Sequence, residues 1–105
     1  MRLRRWGEGM IAVAKPVSFP LGQLVATPGS LAAMAEAGQS PLEFVRRHAR
    51  GDWGEVCGED WTANDDALVD GNRLLSAYRT GKDARLWVIT EWDRSVTTIL
   101  LPEEY

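Results

Sequence analysis

The last third of the chain constrains the fold most. Three short runs, RLLSAYRT from residue 73, LWVITEW from residue 86 and SVTTILL from residue 95, alternate apolar and polar residues and are rich in β-branched and aromatic types. A period of two belongs to a strand whose faces meet different surroundings. Thr80-Gly81-Lys82-Asp83 supplies a turn between the first two runs, so an antiparallel meander is expected. In the first run Leu74, Ser76 and Tyr78 share a face. In the second, Leu86, Val88, Thr90 and Trp92 alternate with Arg85, Trp87, Ile89 and Glu91. Large apolar groups on both sides mark this as the central strand, with at least one of Trp87 and Trp92 in the core. If Asp93-Arg94 connects the last two strands, Thr90 lies opposite Thr97 and Val88 opposite Ile99; a one-residue slip would invert these faces.

Upstream, residues 21–26 have short strand character. Thr27-Pro28 reads as a helix cap followed by proline at the first helical position, and the helix runs through Ala32, Ala33, Ala35 and Ala37 to Gly38. Ser40-Pro41-Leu42-Glu43 has the spacing of a capping box, in which the Ser40 hydroxyl and the Glu43 carboxylate satisfy reciprocal backbone donors. It opens a second helix, expected to end near Arg50, with Leu42, Val45 and Ala49 on one stripe and Arg46, Arg47 and Arg50 outside it. Residues 51–54 read as a loop. A third helix is expected over about residues 60–70, capped by Asp60 and closed by Gly71-Asn72, with Trp61, Asn64 and Leu68 on one face. The expected class is α+β: a short N-terminal strand, three helices, then a three-stranded antiparallel β-meander. Residues 1–20 contain Gly7, Gly9, Pro16 and Pro20 and no sustained period; they read as an extended or flexible segment ahead of one α+β domain over residues 21–105. Met10 is a second candidate start beside Met1.

The chain has 105 residues, 45% of them hydrophobic and 26% charged, which suits one globular core. A lone Cys57 excludes an intrachain disulfide, and with no secretory segment a cytoplasmic setting is expected. The apolar run at residues 10–14 is far too short to span a membrane. Charge is unevenly placed: residues 1–50 carry seven bases and three acids, residues 51–70 seven acids and no base, and the remainder five of each. Either the two halves neutralise each other across the fold, or the acidic segment faces a basic partner.

One His and one Cys leave a zinc centre without its usual ligands, and Asp60, Asp65 and Asp66 lack the spacing and glycine of a calcium loop. No metal is expected, and without a glycine-rich phosphate loop no cofactor is either. His48 follows Phe44 by one helical turn. It reads as a half-buried, hydrogen-bonded histidine, or as a general acid or base. In the second case Arg73, Tyr78 and Arg94 would hold phosphate or donate protons in a ribonuclease-like cleft. Trp53 and Trp61 stand among Asp52, Glu55, Glu59 and Asp60, a mixture of aromatic anchors and negative charge that suits a protein interface with a basic rim. Trp61 packed inward beneath solvating acids is the alternative. Direct nucleic-acid binding is not expected, because this region has the wrong sign and Arg46, Arg47 and Arg50 make a modest footprint.

From Leu21 onward, VATPGSL, RRHARGDWG, RLLSAYR and LWVITEWDRSVTTILLPEEY together resemble a group of small bacterial "plasmid-related" proteins carried by plasmids and integrative elements. The resemblance covers most of the chain. It implies a mobile-element setting and carries over no catalytic residues. Separately, helices followed by an antiparallel meander are similar to the barnase, EndoU, colicin and RelE-like nuclease fold, a topological likeness that does not fix function. Three readings follow. The first is a mobile-element-borne cytoplasmic module that binds or inhibits a protein partner, such as a nucleic-acid-binding protein, through Asp52, Trp53, Glu55, Glu59 and Asp60. The second is a small ribonuclease or toxin using His48, Arg73, Tyr78 and Arg94. The third is an accessory domain forming a homodimer through exposed Trp residues.

Overall fold

The computed structural model describes residues 19–105. Both candidate starts and most of the expected extended segment lie outside the described residues. Among those described, strand β1 (Gln23–Ala26) precedes helices α1 (Pro28–Glu36), α2 (Pro41–Ala49) and α3 (Gly58–Asp70). Strands β2 (Leu74–Arg79), β3 (Arg85–Thr90) and β4 (Val96–Leu100) follow, and a 3-10 turn at Pro102–Glu104 comes last. The α+β class and the order of elements agree with expectation.

Local chemistry starts and stops the helices. Thr27 accepts the Ser30 N–H through its hydroxyl, with Pro28 at the first position. Ser40 caps α2 by accepting from the Leu42 N–H. The expected capping box is only half formed, because the Glu43 carboxylate takes the side-chain amide of Gln39 at 2.7 Å. α3 begins earlier than expected, with Cys57 at the cap and no side-chain cap bond. Asp60 therefore sits inside the first turn, where it favours the helix dipole without capping it.

The meander has the expected register, Thr90 opposite Thr97 and Val88 opposite Ile99. Its last connection is longer than two residues: the Glu91 N–H reaches the Val96 carbonyl, and Arg94 turns the chain at φ 60°. Trp92 consequently leaves the strand and is exposed, while Trp87 is half-buried, so neither is a core tryptophan. The sheet as a whole corrects the antiparallel expectation. Its order is β1-β4-β3-β2, and β1 lies parallel to β4, with Gln23 opposite Val96 and Ala26 opposite Ile99. The helices carry the chain from β1 to the far edge of the sheet, and an antiparallel meander of three strands then returns to β1 running in its direction.

One sheet face packs beneath the helices. Met34 of α1 and Phe44 and Val45 of α2 cluster with Tyr78, Leu86, Val88 and Ile99. Phe19, Trp53, Ala67 and Leu74 form a second cluster. The buried face of α2 is centred on Phe44 and His48 as well as Val45 and Ala49, which leaves Leu42, expected on the apolar stripe, exposed.

The chain closes the outer edge of β2 itself. Asn64 of α3 donates its side-chain N–H to the Leu75 carbonyl at 2.7 Å and accepts the Leu75 N–H at 3.0 Å, so an amide stands in for a neighbouring strand. This is why an amide occupies the apolar face of α3. Further along, the Ala77 N–H donates to the Trp53 carbonyl, and the Glu55 N–H donates to the Ala77 carbonyl. Gly54 lies between these bonds at φ 76°, and a Cβ there would sit inside the Ala77 carbonyl oxygen. Gly54→Ala is therefore expected to lower stability by more than about 2 kcal/mol. Gly38→Ala, at a similar φ of 67° but in open space, should cost only about 1 kcal/mol. Urea denaturation of the two variants checks both the size and the order.

Candidate functional site

His48 is 0% exposed and its ring is bonded at both nitrogens, with Nδ1 2.6 Å from Ser76 Oγ and Nε2 2.9 Å from Thr90 Oγ1. The directions of these bonds follow by elimination. Thr97 spends its hydroxyl proton on the Leu21 carbonyl at 2.7 Å, so at the 2.7 Å contact between Thr97 and Thr90 it is Thr90 that donates. Thr90 must then accept from Nε2–H, and in the neutral ring that burial favours, the bare Nδ1 accepts from the Ser76 hydroxyl. The imidazole is neutral, and every hydroxyl in the line has a partner. Phe19 and Trp53 close over the ring edge-on, each with its centroid 5.5 Å away. Burial, aided by the nearby Arg94 charge, lowers the His48 pKa to about 4.

The residues of the ribonuclease reading do not meet in a cleft. The Tyr78 hydroxyl donates to the Asp52 carbonyl, and burial holds its pKa well above the ordinary value. Arg73 is at the surface, donating to the Tyr105 hydroxyl and paired with Glu91. Arg94 reaches Phe19 with its guanidinium but spends its N–H groups on the carbonyls of Asn72, Glu91 and Ala67. It acts as a clamp between the β3–β4 turn and the end of α3. The imidazole and the phenol are held inside by their bonds to Ser76, Thr90 and the Asp52 carbonyl, whereas Arg73 is engaged at the surface and Arg94 on backbone carbonyls.

The acidic segment divides in a similar way. Trp53, expected as an exposed anchor, is 0% exposed and donates its indole N–H to Asp65 at 3.0 Å. The β2 edge pulls it inward by bonding the backbone on either side of Gly54. Asp52 is half-buried and spent internally on Arg47 and the Gly54 N–H, with the Arg47 bond the chief reason its pKa is lowered. Glu55, Glu59 and Asp60 are exposed, as are Asp65, Asp66 and Asp70. Glu55 and Asp60 border a cleft of about 410 Å³ that also meets Cys57, Arg79, Arg85 and Trp87. Arg79 is paired with Glu55 and Asp83, both at 2.9 Å. Arg79 and Arg85 stand opposite each other in the β2–β3 ladder. Sequence reasoning passed over these two arginines and Trp87 as site residues, although the turn at Thr80 and the two-residue period already put them on one face.

The fold and this surface define a small two-layer α+β domain with an acidic helix, and beside it a cleft of mixed charge, at one edge of its sheet. No protein-family model, curated protein or solved structure matches the chain. Among the described residues no helix is long and apolar enough to cross a membrane, and no three His, Cys, Asp or Glu side chains group to hold a metal ion.

The buried histidine makes stability depend on pH. Its pKa falls from 6.5 to about 4 on folding, so the neutral ring's contribution is complete above 6.5 and is lost as pH drops from there towards 4. The full loss is about 3 kcal/mol. Denaturant titrations across that window should show wild type losing stability more steeply than His48→Gln, with the difference between them flattening below pH 4.

Proposed function

We propose that the chain is a cytoplasmic interaction module of mobile-element origin that binds or inhibits a protein with a basic surface, such as one that itself binds nucleic acid. α3 and the adjoining cleft form the binding face. One observation carries this reading: α3 displays Glu59, Asp60, Asp65, Asp66 and Asp70 and no base, and among the described residues none of the five has an ion-pair partner. The C-terminal half of this arrangement opposes helix stability. Asp66 and Asp70 are like charges one turn apart, and Asp70 sits at the negative end of the dipole with no basic residue in the last turn. Arg94 answers the Ala67 carbonyl there but pairs with neither acid. Helix stability alone would favour Lys or Arg at these positions, whereas a row of carboxylates draws in a cationic partner and speeds encounter.

Trp61, 37% exposed, and Val69, 86% exposed, supply apolar contact on the same helix and replace Trp53 in that role. The cleft offers Asp60 and Trp87 to an incoming basic side chain. Fluorescence anisotropy with a labelled arginine-rich peptide tests the assignment. Binding should weaken with added salt, and the triple change Glu59→Lys, Asp66→Lys and Asp70→Lys should weaken it at least about tenfold while folding stability changes little, the loss at Glu59 in the first turn offsetting the gain at Asp70 in the last. Reversing Glu36 and Glu103, exposed elsewhere, should leave binding little changed. Equal losses per charge reversed in the two variants would reduce the effect to net charge and remove α3 as the binding face.

A further inference from the structure

The two edges of the sheet differ. The outer backbone groups of β2 are taken up by Asn64 and by residues 53–55. Nothing among the described residues takes up those of β1. Gln23 donates its N–H to Ser95 and Thr27 donates to Ile99, so alternate residues turn towards β4. The N–H and C=O groups of Leu24 and Ala26 therefore point away from the sheet. The strand QLVA contains no lysine, proline or other charge to blunt such an edge. On its helix side runs a groove of about 200 Å³ walled by Ala26, Pro41, Leu42, Val45 and Ile99, with Leu24 at the rim.

We infer that this edge pairs with the same edge of a second copy, antiparallel about a two-fold axis at Val25, to make one continuous sheet. With Val25 facing its symmetry mate, Leu24 of each copy lies opposite Ala26 of the other. These are the residues whose backbone groups point outward, so each Leu24–Ala26 pair exchanges both of its N–H···O=C bonds. The side chains fit the same register. Leu24 and Ala26 stand beside Thr97 and Ile99 and so share the helix-side face. Small Ala26 leaves the groove open where the opposing Leu24, 46% exposed in the single chain, arrives. Knob and hole thus belong to one surface, as a two-fold interface requires. Charge favours the same approach: two copies of net charge −3 repel at a distance, and neither the strand nor the groove wall carries an ionisable residue. The inference is independent of partner binding at α3, which contacts β2 at the other edge.

Sedimentation equilibrium of the full chain is expected to show mass rising reversibly with concentration from 11.7 kDa towards twice that value. Leu24→Pro removes an outward N–H without breaking the ladder to β4, and Leu24→Lys puts a charge in the groove. Each should weaken association about tenfold or more with the circular dichroism spectrum unchanged. Because an edge proline can loosen so short a strand, hydrogen exchange on the wild-type chain gives a second measurement. The Leu24 and Ala26 amides should exchange more slowly as protein concentration rises, while those of Leu75 and Ala77 stay constant. A chain monomeric at every concentration overturns the inference, as does a dimer indifferent to both substitutions. Slow exchange of Leu24 and Ala26 in a dilute monomer would mean that the N-terminal residues cover the edge, and would overturn it as well.

Discussion

A line of hydrogen bonds from Ser76 through His48, Thr90 and Thr97 to the Leu21 carbonyl orients the rest of the structure. Apolar packing around it supplies most of the driving force, but such packing is non-directional and tolerates sliding. The hydroxyl–imidazole line does not tolerate it. It joins α2 to β2, β3 and β4 and to the segment leading into β1. A one-residue slip of the meander would turn Thr90 or Thr97 to the opposite face and strand an imidazole in the core.

The same line turns the buried polar groups of the core towards one another. Each polar atom in it has a partner, and Phe19 and Trp53 close the space above the ring. The lone pairs and protons of the line are consumed in holding elements together.

α3 illustrates how that surface is prepared. It is tied down at a few polar points: Asn64 on the β2 backbone, Asp65 on the Trp53 indole and Arg94 on the Ala67 carbonyl. Ala67 adds apolar packing beside Leu74. Attachment through so few contacts leaves most of the helix circumference to solvent, and the sequence fills it with carboxylates. The opposite edge is uncharged and ends in an open strand. An acidic face and an uncharged open edge are thereby held at opposite edges of one sheet.

Much of the local structure was legible in the sequence because its causes lie within a few residues. Thr27-Pro28 sets the start of α1, Gly38 and Gly71 adopt positive φ after their helices, and the two-residue period with its turns places Thr90 opposite Thr97. What the sequence left open depends on partners far along the chain. His48 meets Ser76 across 28 residues, and Thr97 meets Leu21 across 76. The parallel pairing of β1, the choice of Trp53 over Trp87 as the core tryptophan, and the gathering of Arg79, Arg85 and Trp87 beside Asp60 were likewise decided only by the tertiary structure. Residue type and spacing state what a side chain can bond to, but whether a tryptophan is an anchor or a core, and an imidazole a base or a strut, depends on which distant groups reach it first and exclude water.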